Sequence, residues 1–230
     1  MSAAGRTALL TGVTGGWGRA VLDRFAAEGW NVVATHREEE PPAGLPGEVL
    51  PVRAELSDPD AAAAAVDAAV ERFGGLDAMA HIAGGFAAAG TIDEQPVDVW
   101  RSQMTINLDT AYYMTRAALG PMKAAGRGAI VYIGTSAMLT PFPGASGYIV
   151  SKVALGGLMQ CVDVEVRKDG IRCNTVVVRI VDTPRNRAEN PDADFSRWTT
   201  GEELAQVVEW LCSDASAPLS GGLIPAYGRA

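Results

Sequence analysis

Cysteine is scarce in this chain of 230 residues. Cys161, Cys173 and Cys212 are an odd number, widely spaced, with no Cys-x-x-Cys. That excludes a disulfide framework and leaves the thiols as small apolar side chains in a reducing compartment. Histidine is scarcer still: His36 and His81 are the two, neither at metal-ligand spacing, so no metal site is expected. No apolar run reaches the roughly 18 residues of a membrane span, and the opening MSAAGRTALLTG lacks the apolar stretch of a signal peptide. Positive charge is in deficit, with 19 Lys and Arg against 27 Asp and Glu, net −8. Such a surface repels phosphate backbones and anionic lipid, which argues against nucleic acid and membrane as partners. A soluble cytoplasmic protein is expected.

What the chain does hold is alternation. Short apolar runs start at Thr7 (TALLTG), Asn31 (NVVATH), Val49 (VLPVRAEL), Leu76 (LDAMAHIAGG), Gly128 (GAIVYIGT), Ile171 (IRCNTVVV) and Gly221 (GGLIPAYG). Helical spacing fills most of the intervals: 18–29, a stretch capped by Ser57, Asp58 and Pro59 that closes on Gly74 and Gly75, long helices near 97–125 and 148–168, and a last one in TGEELAQVVEWLCS. Apolar strands alternating with helices predict an α/β fold: a three-layer, doubly wound (Rossmann) parallel sheet with helices on both faces. No composition break divides the chain, so one domain over 1–230 is expected, with PRNRAENPDADFSRW (184–198) as a short mobile loop beside a substrate.

The first strand runs into TGVTGGWG, with Gly12, Gly15, Gly16 and Gly18, and a helix begins at once. Glycines at such a junction make a tight turn, let backbone approach a pyrophosphate and allow close helix–strand packing, while the helix start offers free N–H groups. A dinucleotide is the expected ligand. At the end of the second strand an acid would take the adenosine ribose; here His36 stands there and Arg37 follows. A cation suits a 2′-phosphate, so NADP(H) is favoured over NAD(H), although Glu38, Glu39 and Glu40 dilute the charge.

Tyr148 and Lys152, in GYIVSK, stand at i and i+4 and so on one helix face. A phenol near pKa 10 is too basic for ready proton exchange at neutral pH, and a neighbouring ammonium is expected to lower it. With this pair added, the chain resembles the short-chain dehydrogenases/reductases over nearly its whole length. The glycine loop is similar to that family's cofactor loop. HIAGG, from His81 to Gly85, resembles its Asn-Asn-Ala-Gly segment with both asparagines replaced. WRSQMTINLDTAYYM resembles the helix whose asparagine maps to Asn107, and GAIVYIGTSA the strand that carries its serine.

The resemblance implies an oxidoreductase that moves a hydride between nicotinamide and a ketone, aldehyde or secondary alcohol. It implies Tyr148 as acid/base, Lys152 on the nicotinamide ribose, Asn107 behind a water chain, and a hydroxyl on the substrate oxygen. Spacing to Tyr148 favours Thr135 for that hydroxyl, and Ser136 follows it. Cofactor contacts are implied for Gly12, Thr14, Gly15, Gly16, Trp17, Gly18, His36, Arg37, Glu55, Leu56, Ala83, Gly84 and Thr183, besides Tyr148 and Lys152. Family members form dimers and tetramers through two long helices. A homo-oligomer, a tetramer first, is therefore expected here, with Tyr112, Tyr113, Leu155, Leu158 and Met159 as apolar candidates.

The chain also departs from the family. Val178 and Arg179 stand where Pro-Gly is usual after the sixth strand, and Trp17 replaces a smaller aliphatic. Arg179 could meet substrate, cofactor or solvent. These departures leave a second reading open: a cofactor-binding regulator or partner subunit with altered or lost redox activity, or an enzyme of non-redox proton transfer.

Overall fold

A computed structural model describes residues 5–229; residues 1–4 and 230 of the expected domain lie outside the described residues. Seven strands form the sheet: β1 (Thr7–Thr11), β2 (Asn31–His36), β3 (Val49–Arg53), β4 (Ala78–His81), β5 (Gly128–Thr135), β6 (Ile171–Val178) and β7 (Leu223–Ala226). Their order is β3-β2-β1-β4-β5-β6-β7, with every pairing parallel. The helices are α1 (Gly18–Ala27), α2 (Pro59–Phe73), α3 (Val97–Met104), α4 (Thr110–Ala125), α5 (Ser146–Val166), α6 (Pro184–Glu189) and α7 (Gly201–Cys212). The doubly wound α/β fold is the one expected.

Strand side chains alternate between two cores, as period-two geometry requires. Ala8, Leu10, Val32, Ala34, Ala80 and Val131 pack on one face with Leu22 and Phe25 of α1 and Val208 of α7. Leu9, Val33, Met79, Ile130 and Tyr132 pack on the other with Val66 of α2, Met114 of α4 and Met159 of α5. Burial on both faces explains why the strands read as unbroken apolar runs. Pro51 sits in β3, the edge strand, where a missing N–H leaves no ladder bond unmade.

The boundaries differ from expectation in instructive ways. The third and fourth strands end at Arg53 and His81, short of the runs that suggested them. The long helix near 97–125 is interrupted by a π-helical turn at Thr105–Asp109. Within 184–198, expected as a loop, Pro184–Glu189 is helical: Thr183 accepts from the Asn186 N–H and Pro184 occupies the first turn. Leu155 and Met159, expected to serve an oligomer face, lie inside the subunit's own core. The outward side of α5 carries Val150, Val153 and Val164 instead, and α4 exposes Tyr112. Among the described residues no helix is long and apolar enough to cross a membrane.

Candidate active site

The carboxyl ends of β1 and β4 are neighbours, and the chain leaves them toward opposite sides of the sheet: this is the switch point where such folds open a crevice. A cavity of about 240 Å³ lies there. Its wall includes Gly12, Thr14, Gly15, Gly16, Trp17, Gly18, His36, Arg37, Glu55, Leu56, Ala83 and Gly84, so the sequence-derived cofactor residues other than Thr183, Tyr148 and Lys152 meet in one place. Thr183 lies just beside it, its methyl 3.1 Å from where a Cβ on Gly16 would stand.

The glycines are there for want of room. Gly12 has φ +72°, and a Cβ on it would come 2.6 Å from the Ala83 nitrogen. A Cβ on Gly18 would stand 2.0 Å from the Gly12 carbonyl oxygen. No side chain caps the start of α1; its Gly18 and Ala20 N–H groups donate to the Gly15 and Trp17 carbonyls at 3.1 Å, and the positive end of the helix dipole still favours an anion there. This cradle fits the pyrophosphate of a dinucleotide. Trp17 lines the cavity and packs on the start of α7, where a Cβ on Gly201 would meet its Cβ at 3.0 Å.

At the far end of β2, His36 is buried with its Nδ1 3.1 Å from the Glu38 carbonyl oxygen, while Arg37 is exposed. The Glu38 carboxyl is held below its usual range, first by its own backbone N–H, then by the Arg37 N–H, the Thr14 hydroxyl and the Arg37 charge. Glu55 turns its carboxylate to the Ser57 N–H and hydroxyl, at 3.2 and 2.8 Å.

Gly84 joins this cavity to α5. A Cβ there would stand 2.8 Å from Asn107 Oδ1 and 3.2 Å from Lys152 Nζ. Asn107 projects from the π-helical turn and is fully buried. Its Oδ1 accepts from the Gly85 N–H at 3.0 Å, and its Nδ2 donates to the Gly85 carbonyl at 3.0 Å and to Gln103 Oε1 at 3.3 Å. A π turn widens the backbone ring and re-aims a side chain, a common device at functional sites.

Lys152 donates to the Ile133 carbonyl of β5 at 2.8 Å, and burial brings its pKa down to about 8. The expected lowering of the Tyr148 pKa is not found. Burial raises it, and the Thr135 hydroxyl pulls part of the way back. Desolvation of a phenol penalises its anion, and Phe86 covers this ring edge-to-face at 5.0 Å. Thr135 thus faces the phenol, and its Oγ1 also accepts from the Ala137 N–H at 3.3 Å. Ser136 lines a second cavity beyond it. The start of α5 is held by Gln95, whose Oε1 accepts from the Ser146 hydroxyl at 2.5 Å and the Gly147 N–H at 3.3 Å.

His81 ties these parts together. Thr11 Oγ1 accepts from the N–H groups of Ile82 and Ala83, both at 3.1 Å. Both lone pairs are then used, so its proton goes to His81 Nδ1, 3.1 Å away. The imidazole must carry its own proton on Nε2, which donates to Thr110 Oγ1 at 3.2 Å, and Thr110 in turn donates to the Ile106 carbonyl at 3.0 Å. Burial, and then the Lys152 charge, bring the His81 pKa down to about 3. A neutral histidine therefore bridges β1, the segment bearing Ala83 and Gly84, and the π turn bearing Asn107. Sequence reasoning placed His81 but could not supply its partners, 29 and 70 residues away.

Comparison with known proteins agrees with this geometry. The family model of the short chain dehydrogenases matches residues 6–194. The chain is 34% identical over 243 residues to 2-(R)-hydroxypropyl-CoM dehydrogenase of Xanthobacter autotrophicus, covering 97% of each chain. It is 33% identical over 212 residues to a 3beta-hydroxysteroid dehydrogenase of Mediterraneibacter gnavus, covering 88% of this chain and 76% of that one. Among solved structures, a short-chain type dehydrogenase/reductase from Mycobacterium ulcerans superposes with a TM-score of 0.92 at 26% identity, over 99% of this chain and 90% of the other. With its glycine-loop cavity, its Tyr148–Lys152 helix and these relatives, the chain belongs to the short-chain dehydrogenase family.

Proposed function

We propose that Tyr148 exchanges the proton in the NAD(P)-dependent interconversion of an alcohol and a ketone or aldehyde that this family carries out, with Thr135 on the substrate oxygen. Gly84 carries the proposal: it lines the glycine-loop cavity and stands between Asn107 and Lys152. A ligand that reaches Gly84 from the loop therefore arrives beside the ammonium. A bound NAD(P) cofactor would supply or take up the hydride at the carbinol carbon. Tyr148 gives its proton to the carbonyl oxygen in reduction and recovers it in oxidation. Lys152, once drawn from the Ile133 carbonyl toward a ribose, would bring its charge to the phenol and offset the effect of burial. Asn107 holds the 84–85 backbone in place through both of its amide atoms.

NADP(H) is preferred in this reading, because Arg37 and His36 line the cavity and no carboxylate ends β2. Glu38, drawn toward Thr14, favours the opposite choice, NAD(H). Fluorescence titration with NADPH and NADH decides between them: at least about tenfold tighter NADPH supports the first, and equal or tighter NADH rejects it. The substrate is an alcohol or its ketone. The relatives named above are dehydrogenases of 2-(R)-hydroxypropyl-CoM and of a 3beta-hydroxysteroid, and another, 30% identical, is a D-beta-hydroxybutyrate dehydrogenase of Rhizobium meliloti.

The subunit is proposed to assemble as a homo-oligomer, a tetramer first, through the exposed Val150, Val153 and Val164 of α5 and Tyr112 of α4. A monomer by light scattering at micromolar concentration rejects this. The Val178–Arg179 replacement favours a second reading, binding of cofactor without turnover; a carbonyl panel with the preferred cofactor separates the two.

A further inference from the structure

Sheet register brings three unlike side chains to one place. Thr135 pairs with Val178 across β5 and β6, and Val178 pairs with Ala226 across β6 and β7. Ser136, Arg179 and Tyr227 are each the next residue, so they emerge side by side at the carboxyl edge. All three line one cavity of about 480 Å³ with Thr135, Thr140 and Phe142. Phe142 in turn lies 6.5 Å from Phe86, the ring that covers Tyr148. Arg179 is not part of the glycine-loop wall among the described residues.

Arg179 is also uncommitted. Nearby Arg185 pairs with Glu189 at 2.8 Å, Arg187 with Asp182 at 2.5 Å, and Arg197 donates to the Arg229 carbonyl. Arg179 has no ion pair or hydrogen bond among the described residues. The carboxylate on its other side, Asp194, is taken up by the Ser196 N–H and hydroxyl. In a chain of net charge −8, a free guanidinium among three hydroxyls and a phenol is a local anion receptor.

We propose that Arg179 selects the substrate, and that the substrate is a short hydroxy acid or the corresponding oxo acid, its carboxylate on Arg179 and its reacting oxygen toward Thr135 and Tyr148. This rests on the alcohol–ketone reading of the same site, and it assigns a role to the residue that stands in place of the family's usual glycine.

The test compares 2-, 3-, 4- and 5-oxo acids with their methyl esters on the cofactor-loaded protein. KM is read with reduced cofactor. Binding is read by calorimetry with oxidised cofactor, where no turnover occurs. At least one acid is expected to bind about 10- to 100-fold tighter than its ester. Raised salt should weaken the acid alone. In Arg179→Gly the acid-to-ester ratio should fall to about one, and Arg179→Lys should restore part of it. Arg179 is exposed, so both variants should melt and bind cofactor as the native protein does. Equal binding of acid and ester, or a preference that survives Arg179→Gly, overturns the proposal. Esters reduced as well as acids would leave the alcohol–ketone reading standing alone. Arg179-dependent acid binding without turnover would instead sustain the receptor and remove that reading.

Discussion

The two cavities at the carboxyl edge of the sheet follow different rules. Beside β1 and β4 the wall is set by exclusion: Gly12, Gly18 and Gly84 are glycines because a Cβ would collide with the Ala83 nitrogen, the Gly12 carbonyl and Asn107. Beside β5, β6 and β7 the wall is set by donors, with Ser136, Arg179 and Tyr227 side by side and Thr135 one residue before Ser136. The first fixes backbone shape and suits a ligand shared by many relatives. The second fixes chemistry and can change without disturbing the fold. Lys152, beside Gly84 and bonded to Ile133 of β5, lies at the seam between them, and His81 lies behind the first, bonded to Thr110 of its wall.

The seam should give the largest effects. Lys152→Met is expected to lower turnover by about 10²–10⁴, read as kcat/KM. Its stability should also carry a pH signature. The buried ammonium sheds its proton near pH 8 in the folded protein but near 10.5 when unfolded. Below pH 8 the penalty for burying the charge is fully present, and it fades as pH rises to 10.5. The native protein therefore gains about 3 kcal/mol across that window, and the variant does not. Denaturant titrations at pH 7 and above 10.5 measure the difference; parallel curves would refute the burial argument.

A tighter test of steric exclusion is Gly18→Ala. Its methyl group has nowhere to go, so it should cost about 1–3 kcal/mol and abolish cofactor binding in a fluorescence titration. Near-native binding would mean that the loop yields and the comparison is too sharp.

His81 offers an effect of similar size, with the same sign of pH dependence as Lys152 but in a lower window. Its folded pKa, about 3, lies below the ordinary 6.5, so the neutral ring stabilises above 6.5 and this support is lost as pH falls toward 3. Between pH 7 and 5 the native protein should lose about 2 kcal/mol that His81→Asn keeps. Thermal melts at the two pH values read it, and an equal loss in both proteins counts against the bridge. The smallest effect belongs to the exposed edge of the first cavity. Arg37→Ala should weaken NADPH about tenfold and NADH little; equal losses would remove Arg37 from cofactor choice.

What could be read in the sequence tracks this same division. Glycines forced by crowding announce themselves, and so does a Tyr–Lys pair on one helix face, since both are local patterns. The α/β order was legible because strands buried on two faces are apolar throughout. The π turn at Thr105–Asp109 was not, because the buried positions through it, Gln103, Asn107 and Thr110, are polar and leave no apolar stripe to mark the helix phase. Nor was the Lys152 bond to Ile133, or Gln95 holding the start of α5, contacts made 19 and 51 residues apart. Thr183-Pro184 did signal the helix that follows; the polar composition of 184–198 hid it. Arg179 was visible as a departure, but only strand register shows which residues stand beside it.

The most direct measurement is kcat/KM of Tyr148→Phe on a ketone reduced by the native protein, with cofactor affinity determined on the same samples. Loss of the phenol proton donor should lower kcat/KM by about 10²–10⁴ and leave the cofactor dissociation constant unchanged. Turnover that survives with the phenylalanine in place would contradict the assignment of proton exchange to Tyr148.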